Sequence, residues 1–94
     1  MSEREADDGA GYSGTEVPRR LLEYLAQGLV DAPDEVSVTE AETESGTVVL
    51  ELSVAEDDYG RVIGRGGRTA HALRAVVKAA ATGEGCHVLV DIVD

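Results

Sequence analysis

Apolar residues recur first at a helical interval and then at every second position. In VPRRLLEYLAQGLVDAP, residues 17–33, Leu22, Leu25 and Leu29 stand at helical spacing with Leu21 adjoining, and Pro18 lies near a first helical position. This predicts an amphipathic helix ending before Pro33. In DEVSVTEAE, Val36 and Val38 alternate with Ser37 and Thr39, and in TVVLELSV the residues Val48, Leu50, Leu52 and Val54 share one face. Period two marks strands, and TESG between them supplies the turn of a hairpin. AEDDYGRVIG places Glu56, Asp57 and Asp58 as first-turn acids of a short helix that stops at Gly64. RTAHALRAVVKAAAT follows, with Ala70, Leu73, Val76, Val77 and Ala80 at helical spacing and Gly83 and Gly85 at its end. CHVLVDIV reads as the last strand.

The predicted order is therefore αββααβ, an α+β fold without an internal repeat. A strand that leads through two helices to the next strand pairs with it in parallel, by a right-handed crossover. The sheet should be three-stranded and mixed, in the order first, second, third, with the helices packed on one face. Residues 1–15, MSEREADDGAGYSGT, carry acids, glycine and serine with almost nothing apolar. Such a segment gains too little burial to offset ordering, so a disordered acidic tail is expected before a domain spanning 16–94.

Composition narrows the functional classes. A chain of 94 residues has room for one sheet and a few helices, not for two lobes around a cleft. No apolar run approaches the roughly 18 residues of a membrane span, and the basic-then-apolar order of a signal peptide is missing, so a cytoplasmic protein is expected. Cys86 is the single cysteine and reads as a small buried residue at a strand start. His71 and His87 are sixteen positions apart, with no cysteine or carboxylate at ligand spacing around His71, and no Ser/His/Asp arrangement stands out. Neither a catalytic residue, a metal nor another cofactor is expected.

Charge singles out one segment. The formal net charge is −11, yet residues 59–83 hold five of the eight basic residues, Arg61, Arg65, Arg68, Arg74 and Lys78, and no acid. Within them GRVIGRGGRTAHALR places glycines where one helix yields to the next. Gly64 and Gly67 permit backbone conformations closed to other residues and let a ligand come close. The following helix start aims free N–H groups and positive dipole at the same spot, an anion cradle. A solvated helix surface would explain the arginines alone, but not their coincidence with that turn. Other glycine-loop chemistries fit poorly. A nucleotide-binding loop needs GxxxxGK before Ser or Thr, but Arg68 follows Gly67; a dinucleotide fingerprint needs a third glycine where Thr69 stands and a strand in front.

VIGRGGRTAHAL resembles the KH motif, an Ile-Gly-x-x-Gly core followed by apolar residues three and six positions on, here Ile63, Gly64, Arg65, Gly66, Gly67, Ala70 and Leu73. Together with LVDAPDEVSVTE and the αββααβ order, residues 16–94 resemble a whole stand-alone bacterial protein of the KhpA family, with the type II KH fold. Ala70 is smaller than the isoleucine or valine common there, which implies a shallower groove floor, and Gly66 takes a variable loop position. Composition agrees with a KH module, which clamps backbone nucleotides and lays bases on aliphatic side chains. Sheet-face RNA readers stack bases on aromatics, and this chain has three Tyr and no Phe or Trp.

The resemblance implies binding of single-stranded RNA. The N–H groups of residues 65–68 with Arg65 and Arg68 would hold phosphates, Val62, Ile63, Ala70 and the second strand would form the base groove, and Arg61, Thr69, Arg74 and Lys78 would flank it. It also implies an RNA-chaperone or post-transcriptional role linked to cell division and elongation, a homodimer, and a heterodimer with a larger KH protein, KhpB. Alanines and valines on the second crossover helix, Val76, Val77 and Ala80 among them, spread apolar surface beyond one stripe and would form the dimer interface. The rival reading is a protein-interaction module that acts mainly as a dimer subunit, with RNA binding vestigial.

Overall fold

The structure is a computed structural model and describes residues 13–93. Its elements are α1 (Glu16–Leu29), β1 (Ser37–Glu42), β2 (Val48–Ser53), α2 (Tyr59–Ile63), α3 (Arg68–Gly83) and β3 (Val88–Ile92). Single 3-10 turns lie at Ser13–Thr15, Pro33–Glu35, Glu56–Asp58 and Arg65–Gly67. Of the predicted tail, residues 1–12 lie outside the described residues, while Ser13–Thr15 lead into α1 with Thr15 buried and its hydroxyl donating to Glu40 at 3.3 Å.

The sheet is three-stranded and mixed, in the order β1-β2-β3. β1 and β2 run antiparallel with Val38 opposite Leu52 and Glu40 opposite Leu50. Their turn is held by Thr43 N to Thr47 O at 2.8 Å and Gly46 N to Thr43 O at 3.0 Å. β2 and β3 run parallel with Leu50 opposite Val90, which leaves β3 as an edge strand.

One face of the sheet is covered. Leu50, Leu52, Val88 and Val90 are buried against Leu22 and Ala26 of α1 and Leu73, Val77 and Ala81 of α3. Burying each such Leu or Val stabilises the fold by roughly 1.5–3 kcal/mol. The opposite face carries Thr39, Glu51, Leu89 and Asp91, and Leu89 and Asp91 there are exposed to solvent. Among the described residues no helix is long and apolar enough to cross a membrane.

Two helix faces differ from their predicted stripes. In α1 the buried positions are Pro18, Leu22 and Ala26, and Leu29 is exposed. The helix ends at Leu29 because Val30 turns to extended backbone and Pro33 opens a 3-10 turn, which also delays β1 to Ser37. In α3 the stripe is Ala70, Leu73, Val77 and Ala81, so Val76 points away from the sheet.

Candidate nucleic-acid interface

Gly64 ends α2 with φ 78° and ψ 169°, and its N–H closes the helix on Gly60 O at 2.9 Å. A side chain here is excluded twice. That backbone region is open essentially to glycine alone, and a Cβ would sit 2.7 Å from Thr69 Cβ and 2.9 Å from Thr69 N. Gly66 (φ 65°) and Gly67 (φ 78°) are left-handed but face open space. Three glycines in close succession thus let the chain reverse between α2 and α3, with Gly64 packed under Thr69 and Gly66 and Gly67 facing open space.

The turn uses part of its own donors. Gly67 N–H bonds Gly64 O at 3.1 Å and Arg68 N–H bonds Arg65 O, so two of the four N–H groups expected to face a phosphate are engaged. Those of Arg65 and Gly66 have no hydrogen-bond partner among the described residues. They stand at the N-terminus of the sixteen-residue α3, where its dipole adds positive potential. Arg65 and Arg68 are exposed and form no ion pair with any described residue.

Arg61, grouped with them in the sequence, is turned elsewhere. Its Nη1 donates to buried Asp58 Oδ1 at 3.0 Å and its Nη2 pairs with Asp31 Oδ2 at 2.9 Å. Two acids neutralise it, so it adds little to the field at the glycine turn.

Arg74 and Lys78 flank a separate cleft of about 480 Å³ between α3 and β3, floored by Val49, Val88, Leu89 and Val90 with Asp91 at its rim. Arg74 Nε donates to Val90 O at 3.3 Å, on the outer edge of the sheet. The aliphatic wall was expected from the second strand. In this cleft the central strand β2 contributes Val49 and the edge strand β3 contributes Val88, Leu89, Val90 and Asp91. Val62 and Ala70, expected in the groove, are buried. Ile63 is exposed beside it. Thr69 is half-buried, its side chain closing over Gly64.

The proposed dimer residues separate likewise. Val77 is 0 % exposed and belongs to the core, and Ala80 is half-buried, while Val76 is 47 % exposed. Val76 lines an apolar groove of about 670 Å³ between α1 and α3, with Tyr24, Leu25, Leu29 and Ala72 among its walls. Tyr24 is 73 % exposed.

An αββααβ domain whose glycine turn joins two helices beside an edge-strand cleft is a KH domain. The family model for the KhpA/KhpB KH domain matches residues 19–92, and the chain belongs to that family. It is 51 % identical over 75 residues to the RNA-binding protein KhpA of Clostridium acetobutylicum, covering 80 % of this chain and 99 % of that protein. It is also 53 % identical over 73 residues to the RNA-binding protein KhpA of Streptomyces coelicolor, covering 78 % and 87 %. Among solved structures it is similar to a single-substitution variant of Aquifex aeolicus Era bound to GDP and aluminium fluoride, with TM-score 0.59 at 13 % identity, covering 95 % of this chain and 35 % of Era. A second Era structure, in complex with MgGDPNP and nucleotides 1506–1542 of 16S ribosomal RNA, gives TM-score 0.59 at 14 % identity over 81 % of this chain and 29 % of that one. This chain thus spans about a third of those Era chains, and at that identity the likeness is one of fold. The family is non-enzymatic, and the chain is not an enzyme.

Proposed function

We propose that this protein binds single-stranded RNA as a type II KH module, holding the RNA backbone at the Gly64–Gly67 turn. The observation that carries this is the turn itself. The N–H groups of Arg65 and Gly66, without a hydrogen-bond partner among the described residues, the side chains of Arg65 and Arg68, without an ion pair among them, and the start of α3 lie together where Gly66 and Gly67 face open space. The αββααβ order with β2 parallel to β3 supports the type II assignment, and relatives named RNA-binding support the ligand. Phosphates at the turn would direct successive bases along α3 into the cleft of Val88, Leu89 and Val90, with Arg74 and Lys78 adding charge. A cytoplasmic RNA-chaperone or post-transcriptional role, linked to cell division and elongation, follows from the family resemblance.

Filter binding with short single-stranded RNAs at several salt concentrations tests this. Neutralising about three phosphates of a single strand gives a slope of roughly −2 in log affinity against log salt. A slope near zero, or no binding, overturns the reading.

The exposed groove between α1 and α3 supports assembly as well. Val76, Tyr24 and Leu29 offer apolar surface, and Gly28 and Ala72 let another helix approach closely. A two-fold homodimer through this groove, or a heterodimer with KhpB, would set two glycine turns on one RNA and raise avidity. Dimerisation without RNA binding is the outcome that would favour a protein-interaction module instead.

A further inference from the structure

We propose that Asp58 and Arg61 form a clamp that positions the Gly64–Gly67 turn, so that both govern RNA affinity without touching RNA. The proposal rests on the RNA-binding reading above for its ligand, and on the following geometry for its mechanism.

Asp58 stands in the turn before α2 and is 2 % exposed. Its Oδ1 accepts the N–H of Asp31 at 3.2 Å and its Oδ2 that of Ala32 at 3.1 Å, two donors freed where α1 has ended. Arg61, one turn on in α2, donates Nη1 to the same Oδ1 at 3.0 Å and to Asp57 O at 3.3 Å, and pairs with Asp31 at 2.9 Å. One buried carboxylate thus ties the loop after α1 to both ends of the step into α2. A buried carboxylate is costly unless its lone pairs are filled, and here backbone donors and a guanidinium fill them.

α2 needs such a tie. It has five residues, Tyr59–Ile63, far fewer than a helix needs to stand alone. Its one buried residue is Val62, and Gly60 and Gly64 loosen the backbone near both ends. Tyr59 holds the start of α2 by packing against the core and donating its hydroxyl to Val93 O; the clamp adds a tie from Arg61, nearer the end of the helix that leads into the turn, to the loop after α1. Gly64 and Arg65 follow directly from Ile63, the last residue of α2, so the helix orientation sets where the N–H groups of Arg65 and Gly66 point.

Asp58→Asn keeps the shape but presents one acceptor oxygen and an NH2 that faces donors. The expected result is RNA binding about tenfold weaker, as for loss of a charge-assisted bond, with the salt slope unchanged. Amide exchange of Gly64 and Gly67, whose N–H groups bond Gly60 O and Gly64 O, should quicken while Leu50 and Val77 stay protected. Arg61→Ala, which leaves Asp58 its two backbone donors, keeps the test open if Asp58→Asn does not fold. It should weaken binding about threefold, again without changing the slope. The clamp is overturned if either folded variant leaves exchange at Gly64 and Gly67 as in the parent protein. It is also overturned if Arg61→Ala lowers the slope by about 0.7, the mark of a lost phosphate contact. Should the parent protein bind no RNA, the exchange measurement alone still decides the clamp.

Discussion

Replacing Gly64 by alanine separates steric from conformational demands at the turn. The backbone at φ 78° and ψ 169° lies where a non-glycine residue pays about 1–3 kcal/mol. The added methyl would overlap Thr69. Its Oγ1 can rotate away, but Thr69 Cβ at 2.7 Å and backbone N at 2.9 Å cannot move without shifting the first turn of α3. Forcing a methyl into a packed site adds about 1–3 kcal/mol. Alanine restricts the unfolded chain and returns about 0.4–1 kcal/mol. The net loss is about 3 kcal/mol, which for a domain of this size lowers Tm by roughly 12–24 °C. Gly66→Ala is the control. Its φ of 65° is left-handed, but nothing lies within 4 Å of the added carbon. Its strain of about 1–2 kcal/mol, offset by the same entropy gain, leaves a loss of about 1 kcal/mol or less. Urea and thermal unfolding of the two variants side by side give the comparison. Equal stabilities within about 0.5 kcal/mol would refute the argument that Thr69 closes over Gly64.

Three further outcomes are expected. The double variant Arg65→Asp, Gly66→Asp places two carboxylates at a turn without core contacts and should abolish RNA binding in a folded protein, as read by filter binding beside circular dichroism; retained affinity excludes the turn as the site. Val76→Glu should give a folded monomer in sedimentation if the α1–α3 groove carries a second copy, whereas Val77→Glu buries a charge in the core and should unfold the chain; a parent protein monomeric at high micromolar concentration removes the homodimer. Burial, with the charge of Glu84 second, raises the Cys86 thiol above its ordinary value, and its Sγ donates to Gly14 O at 2.8 Å. Iodoacetamide should therefore react more slowly with it than with free cysteine near pH 8.5, and stability from this group should persist below the ordinary thiol pKa and fall as pH rises through the raised one; a rate equal to free cysteine refutes this.

Much of this protein is written in local patterns. Period two over 48–54 and helical spacing over 68–82 identify β2 and α3, because a half-buried strand and an amphipathic helix each impose their own repeat on which residues meet water. The parallel pairing of β2 and β3 follows from the two helices between them, and the glycine turn was legible because Gly64 and Gly67 stand where positive φ favours glycine over other residues. Tertiary structure decided what depends on neighbours distant in sequence. Whether a helix residue meets the sheet or the solvent differs between Val76 and Val77 by about 100° of rotation, and only packing against Leu22 and Leu50 chose between them. Asp58 reads locally as a helix-start acid. It became a buried clamp because the backbone N–H groups of Asp31 and Ala32, more than 25 positions earlier, arrive at its carboxylate. Arg61 was drawn from the basic stripe to the same place. Charge and glycine spacing name the chemistry of a site, but which of its charges stay free is settled by which distant donors and acceptors the fold brings within about 3 Å.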